Sequence, residues 1–264
     1  MDKQSINLQE QYIKRPRVSV VMPAYNAARY IAEAIGSVQA QTMTDWELLV
    51  LDDGSSDDTC QIVEVMARSD SRIRLLVNAH NLGPALTRNR GLDLCRGQYV
   101  ALLDSDDLWH PEKLEKQLAL ASSAGADVIY CSYGIVDEAG QKCCNDFLVP
   151  DKTDYRSMLI SSVISCSTAL LSERVYRNYH FPHSYYHEDY ALWLWLMRDG
   201  IQAQGNREVL ASYRIQSESR ASNKFTSACR RWVIYRRFLK MSLLESVYYL
   251  SRYAVAGARK YRYI

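Results

Sequence analysis

Three polar runs stand where apolar, β-branched segments end. Pro23-Ala24-Tyr25-Asn26 closes Val18–Met22, Asp52-Asp53-Gly54-Ser55 closes Glu47–Asp52, and Asp104-Ser105-Asp106-Asp107 closes Tyr99–Asp104. In a parallel α/β sheet ligands bind beyond the carboxyl ends of the strands, so these runs converge on one edge. The carboxylates of Asp52, Asp53, Asp104, Asp106 and Asp107 would repel one another there unless protonated, hydrogen-bonded or bound to a cation. Hard oxygen ligands suit Mg²⁺ or Mn²⁺, ions that bridge one or two protein carboxylates to the phosphates of a substrate. A single aspartate at a strand end is more often a turn or helix cap. Two acidic clusters on one edge favour a metal-assisted phosphate site instead. The glycine fingerprints G-x-G-x-x-G after the first strand and G-x-x-x-x-G-K-[ST] are absent, which argues against dinucleotide oxidoreductases and P-loop NTPases.

The elements that must position these residues read as alternating strands and helices. Strands are expected at Val18–Met22, Glu47–Asp52, Arg74–Asn78, Tyr99–Asp104 and Val128–Ser132. Between them Arg29–Gln41, Asp57–Ser69, Pro84–Arg96 and Pro111–Ser123 carry apolar residues at three- and four-residue spacing, the pattern of crossover helices. The sum is an α/β fold, a mostly parallel sheet flanked by helices. Beyond residue 133 the pattern changes: a hairpin turn at Val136–Gln141, a strand at Ser167–Leu171, a helix at Asp189–Arg198 and a strand at Val209–Arg214. From Phe225 onward the chain reads as helical.

The 264 residues, 48% hydrophobic and 23% charged, fit one large globular domain with an appendage and exclude a disordered chain. The net charge of +2 conceals an asymmetry: residues 230–264 hold nine Lys and Arg against Glu245 alone, leaving the body acidic. Basic and aromatic residues on the tail helices suit an anionic membrane surface. Nucleic acid is disfavoured, since no nucleic-acid-binding module accompanies the tail. Seven cysteines, odd in number and without a C-x-x-C pair, point to a reduced, cytoplasmic chain. Residues 1–17 lack the apolar core of a signal peptide, and no segment reaches the roughly 20 apolar residues of a membrane span.

In order and spacing these residues resemble the inverting, family 2 nucleotide-sugar glycosyltransferases of the GT-A, Rossmann-like fold. The resemblance rests on Val20–Asn26, Leu51–Asp57, Asn81-Leu82-Gly83 followed by Arg88–Gly91, Leu103–Asp107 and His187–Tyr190. Asp107–Leu114 and Glu188–Trp193 are most similar to bacterial enzymes of O-antigen, capsule and teichuronic acid synthesis. The resemblance implies that Pro23, Tyr25, Asp52 and Asp53 line a uracil and ribose pocket with Asn26 beside them, and that Arg88 reaches the base or diphosphate. Asp104 and Asp106 match the D-x-D positions, one toward ribose and one toward Mn²⁺ or Mg²⁺, with Asp107 as a neighbouring metal carboxylate. Asp189 matches the catalytic base, a role in which a carboxylate takes the proton of an attacking hydroxyl; Glu188 beside it orients the acceptor or faces solvent. Ser219 and Arg220, with Ser217, are expected diphosphate contacts on a closing loop. Where the family often has Tyr-Arg-x-His, this chain reads Tyr213-Arg214-Ile215-Gln216, so Gln216 replaces a candidate metal ligand.

The implied organisation is an N-terminal extension (1–16), a nucleotide-sugar half (17–132), an acceptor and catalytic-base half (133–222) and a C-terminal basic helical extension (223–264). The implied partners are a nucleoside diphosphate sugar, a polyprenyl-diphosphate-linked glycan and the inner face of the cytoplasmic membrane. A silent nucleotide-sugar-binding scaffold is the alternative, and it predicts a broken acidic set. Asp53, Asp104, Asp106 and Asp189 are all present.

Overall fold

The computed structural model describes residues 15–216 and 224–260. Ser217, Ser219 and Arg220 of the expected loop lie outside the described residues. The first half alternates as its periodicity predicts: β1 (Val18–Ala24), α1 (Ile31–Gln39), β2 (Trp46–Asp52), α2 (Thr59–Ser69), β3 (Ile73–Val77), α3 (Pro84–Leu94) and β4 (Tyr99–Leu102). These strands lie in the order β3-β2-β1-β4 and pair parallel throughout. Neighbouring residues of β1 and β2 enter different cores. Val21, Leu49 and Leu51 pack on one face, and Val20, Leu48 and Val50 on the other. A strand buried on both faces reads as an unbroken apolar run, which is why these two were legible.

The second half continues with β5 (Leu108–Trp109), α4 (Lys113–Ala124), β6 (Val128–Val136), α5 (Tyr155–Ile160), β7 (Leu170–Ser172), α6 (Glu173–Tyr176), α7 (Glu188–Arg198) and β8 (Ala203–Arg214). It completes an eight-stranded sheet in the order β3-β2-β1-β4-β7-β6-β8-β5. Here β6 and β8 pair parallel, whereas β7 runs antiparallel to β4 and β6, and β5 antiparallel to β8. The sheet is therefore mixed, its parallel character concentrated in the half that carries the acidic runs. Ser167 and Thr168, expected in a strand, form a 3₁₀ turn with Cys166, and β7 begins only at Leu170.

The tail is helical, as expected, and forms α8 (Lys224–Val233), a π-helical turn (Ile234–Phe238) and α9 (Leu243–Lys260). The break follows Lys240 at φ 55°. Ser242 then starts α9 with a reciprocal cap: its N–H donates to Glu245 Oε2 at 2.9 Å, and the Glu245 N–H donates to Ser242 Oγ at 3.2 Å.

Two packing details aim the site. Gly91 of α3 lies so close to the sheet that a Cβ there would meet Val21 Cγ1 at 2.5 Å, so α3 rests directly on β1. Arg88, one turn earlier, shares that inward face. On α7, Tyr190, Ala191, Leu192, Trp193, Leu194, Leu196 and Met197 are all buried, and a helix apolar on nearly every side sits inside the protein. Its first turn carries Glu188 and Asp189.

Candidate active site

A cavity of about 600 Å³ opens at the carboxyl ends of β1, β2 and β4. It brings together Pro23, Tyr25, Asp53, Arg88, Asp104, Asp106, Glu188 and Asp189, residues drawn from both halves of the chain. Asn81, Gly83, Pro84 and Thr87 add the wall at the start of α3. Gly83 takes φ 82°, a left-handed conformation open to glycine at little cost, and Pro84 begins the helix behind it.

Asp53 shapes that wall. Its Oδ1 accepts from Asn78 Nδ2 at 2.7 Å and from the Leu82 N–H at 2.8 Å, while Oδ2 accepts from the Gly83 N–H at 2.8 Å. Asp52 turns away from the cavity and caps its own turn, with Oδ2 accepting from the N–H groups of Gly54 at 3.1 Å and Ser55 at 3.0 Å. Asn26 stands just outside: its Oδ1 accepts from the Ser56 N–H at 2.9 Å, and the residue borders an adjoining cleft of about 440 Å³ that shares Tyr25, Ser105, Asp106 and Gln216 with the main cavity. Neither residue lines the main cavity, and turn and loop backbone engages Asp52 Oδ2 and Asn26 Oδ1.

The acidic run after β4 divides in the same way. Asp104 and Asp106 face the cavity, but Asp107 is 1% exposed and points inward. Its Oδ2 accepts from Ser167 Oγ at 2.5 Å and its Oδ1 from the Arg214 N–H at 2.9 Å. Asp107 anchors the loop and, unlike the other expected metal carboxylates Asp104 and Asp106, does not line the cavity. Burial, reinforced by Asp106 and Asp104, pushes its carboxyl well up. Ser167 Oγ also accepts from the Asp104 N–H at 3.1 Å, so one buried hydroxyl holds both ends of the run. Arg214 clamps the middle, its Nε donating to the Asp106 carbonyl at 2.9 Å and an Nη to Glu33 at 2.7 Å. Gln216 Nε2 donates to Asp106 Oδ2 at 2.6 Å, which places this amide against a cavity carboxylate.

Among the described residues no three His, Cys, Asp or Glu side chains are grouped to hold a metal. The pair Asp104 and Asp106 nevertheless has the chemistry of a shared site. Burial first, and then the charge of Asp104, raises the Asp106 carboxyl, a conflict that a cation relieves. Two hard carboxylates completed by substrate diphosphate oxygens are a normal donor set for Mg²⁺ or Mn²⁺.

Asp189 lies in the first turn of α7, where His187 at φ 61° turns the chain into the helix. The Tyr190 N–H donates to Asp189 Oδ1 at 2.7 Å. Burial and the neighbouring Glu188 raise its carboxyl to about 6. Such a group is largely ionised near neutral pH and is more basic than an ordinary aspartate, as a general base requires. Glu188 does not face solvent: Arg88 donates to it at 2.8 Å and to Asp104 at 2.6 Å.

Sequence reasoning missed Ser167 and Tyr186, used Asn81 only as part of a motif and Arg230 only as part of the basic tail, and gave Arg214 no role. Arg214 had a signal, a charged residue at the end of a strand. Ser167 had none, because a hydroxyl in an apolar run reads as strand.

The solved structures similar to this one share its class. The S. aureus TarS 1-349 structure in complex with UDP matches with a TM-score of 0.69 and 21% identity, over 90% of this chain and 70% of that one. The mannosyltransferase PcManGT from Pyrobaculum calidifontis, in complex with GDP-Man and Mn²⁺, matches with a TM-score of 0.70 and 17% identity, over 93% and 74%. The fold is that of the GT-A glycosyltransferases. The chain belongs to glycosyl transferase family 2, whose model matches residues 19–177, and is a glycosyltransferase. Among its relatives is the Escherichia coli UDP-Glc:alpha-D-GlcNAc-diphosphoundecaprenol beta-1,3-glucosyltransferase WfgD, 37% identical over 247 residues, 93% of this chain and 95% of that protein. The Bacillus subtilis teichuronic acid biosynthesis glycosyltransferase TuaG is 32% identical over 93% of this chain and 98% of its own length.

Proposed function

We propose that this enzyme transfers a single hexose from UDP, with inversion, to a hydroxyl of a polyprenyl-diphosphate-linked glycan in bacterial surface polysaccharide synthesis. The observation that carries this reading is Asp189, a buried carboxylate raised to about 6 in the same cavity as the Asp104 and Asp106 pair. The names of WfgD and TuaG support the acceptor class and the pathway class. Glucose is the donor sugar named for WfgD and is the first to test here.

In this reaction Pro23, Tyr25, Asp53 and the Asn81–Gly83 wall receive the nucleoside. Asp104 and Asp106 would hold Mn²⁺ or Mg²⁺, which when bound neutralises the diphosphate as it leaves. Asp189 takes the acceptor proton as the hydroxyl attacks the anomeric carbon, and Arg88 fixes Glu188 and Asp104 around the reacting centre. A single displacement inverts that centre.

No helix among the described residues is long and apolar enough to cross a membrane. Peripheral attachment at the inner face of the cytoplasmic membrane would instead use α9, where Leu243, Leu244, Val247, Tyr248 and Val255 are exposed alongside Arg252.

The test is nucleoside diphosphate release from UDP-, GDP- and dTDP-sugars with a synthetic GlcNAc-diphosphate-lipid, with Mn²⁺ or with EDTA, followed by assignment of the product anomer by NMR. Acceptor-dependent release from a UDP-hexose with an inverted product is expected. Retention of configuration would overturn the mechanism, and turnover restricted to another nucleotide would overturn the donor.

A further inference from the structure

We infer that Tyr186 is the platform on which the acceptor sugar stacks, its ring presenting a flat apolar surface beside the turn that carries Asp189. The inference rests on the proposed function, in which a glycan hydroxyl must reach that carboxylate.

Three tyrosines among the described residues line the cavity: Tyr25, Tyr186 and Tyr213. The Tyr213 ring makes an edge contact with Tyr133, their centroids 6.2 Å apart. Tyr25 and Tyr186 are 52% and 65% exposed, and they belong to opposite ends of the site. Tyr25 follows β1 in the wall of Pro23 and Asp53, where the nucleoside is received. Tyr186 precedes α7, and only His187 separates it from the first turn with Glu188 and Asp189. One exposed ring thus stands with the donor nucleoside, and the other with the base that the acceptor must meet.

A single exposed tyrosine needs no explanation in itself. This one is held in place around an open cavity. On one side its neighbour Tyr185 packs against Phe238, ring centroids 5.2 Å apart. On the other, His187 at φ 61° turns the chain into α7. Arg230 backs the ring with its guanidinium 4.3 Å from the centroid, and it has a further partner, so it is a fixed support rather than an open cation. A ring ordered before its ligand arrives loses little freedom on binding.

The rest of this end of the cavity is charged. Asp104, Glu188, Asp189 and Arg88 can meet hydroxyl groups, but they offer nothing to the C–H faces that a pyranose with equatorial hydroxyls presents. A tyrosine ring buries such a face while its own hydroxyl stays in water. Stacking takes the face of the sugar and leaves its hydroxyl edge free for the adjacent carboxylates, the usual division between apolar area and a few orienting polar groups.

The test compares wild type, Tyr186→Phe and Tyr186→Ala for binding of octyl N-acetylglucosaminide with UDP present, followed by saturation-transfer NMR, and for the KM of the GlcNAc-diphosphate-lipid. Tyr186→Ala should weaken the glycoside about tenfold and raise that KM by a similar factor, as loss of an aromatic stack does. Its UDP affinity should stay within about twofold, which also reports an intact cavity. Tyr186→Phe keeps the ring and should hold glycoside affinity within about twofold of wild type. Unaltered glycoside affinity in Tyr186→Ala, an equal loss of UDP affinity, or no glycoside binding by wild type would each overturn the platform. A loss in Tyr186→Phe as large as in Tyr186→Ala would overturn it too, by assigning the contact to the hydroxyl. If wild type binds the glycoside through Tyr186 but transfers no sugar, the proposed reaction fails and the platform stands. If Tyr186→Ala binds the glycoside and turns over the lipid acceptor with the wild-type KM, the platform fails and the reaction stands.

Discussion

Arg88 holds Asp104 and Glu188 at the same time, one terminal nitrogen 2.6 Å from Asp104 Oδ1 and the other 2.8 Å from Glu188 Oε1. The bridge ties the loop after β4, in the nucleotide half, to the first turn of α7, which carries Asp189. Its side chain is 8% exposed, so the three charges share a poorly solvated space. Lysine offers one point charge where arginine offers a planar fork, and cannot span both carboxylates in that geometry. Arg88→Lys should lower kcat by at least about tenfold and destabilise the fold by about 1–3 kcal/mol, since a buried charge loses a partner. Because Arg88 also lowers the Asp189 carboxyl, removing the guanidinium in Arg88→Met should move the basic requirement of the pH–rate profile upward. Unchanged kinetics in both variants would remove Arg88 from the site.

Asp106 and Asp107 are adjacent in sequence and separate in role. Mn²⁺ binding with UDP present, followed by electron paramagnetic resonance, should weaken about tenfold or more in Asp106→Asn, as expected when one hard ligand of few is lost. Asp107→Asn should leave Mn²⁺ affinity within about twofold of wild type, because its carboxyl meets the Ser167 hydroxyl and the Arg214 N–H rather than the cavity. The reverse pattern would make Asp107 the ligand.

The raised Asp189 carboxyl predicts that the site costs stability. Its folded value, about 6, lies above the ordinary 3.8, so between those values the folded state holds the proton more tightly than the unfolded chain does. Stability from this group is therefore full below about 3.8 and is lost as pH rises through about 6. Asp189→Asn, which carries no charge, should unfold at a higher temperature than wild type at pH 7, by about 1–3 kcal/mol in stability, with the gap closing toward pH 4. A variant less stable than wild type at pH 7 would contradict this.

Arg231 is buried among tyrosines. It donates to Tyr190 Oη at 2.5 Å and to the Leu159 carbonyl at 3.3 Å, and its guanidinium lies 4.0 Å from the Tyr190 ring. Tyr190 follows Asp189 directly, so Arg231 couples the tail helices to the catalytic turn. Arg231→Lys should reduce kcat by about fivefold or more with UDP affinity retained, since small misplacements of a catalytic group are costly. Loss of UDP affinity without loss of kcat would place its effect elsewhere.

Much of this architecture was legible in the residues, for physical reasons. The unbroken apolar runs of β1 and β2 report burial on both faces, and the spacing of Ile31, Ala34, Ile35 and Val38 marks the inward stripe of α1. Acidic residues at strand ends located the cavity, because strand direction determines which ends meet. Their individual duties were not legible. Asp107 carries the same side chain as Asp106, and only the local backbone decides whether a carboxylate meets donors within the protein or faces the cavity. The 3₁₀ turn at Cys166–Thr168 was hidden because its residues also suit a strand. The start of α9 carried a signal that the reading of this stretch as helical left unused, the Ser242 and Glu245 pair.

The proposed reaction depends most on Asp189 as the base. The direct measurement is acceptor-dependent UDP release at pH 8 by wild type and Asp189→Asn, with UDP affinity determined on the same samples. Asp189→Asn should lose about 10²–10⁴ in kcat, the usual contribution of general base catalysis, and keep UDP affinity within about threefold. Activity in Asp189→Asn within a few-fold of wild type would contradict the assignment and send the search for the base to another residue of the cavity.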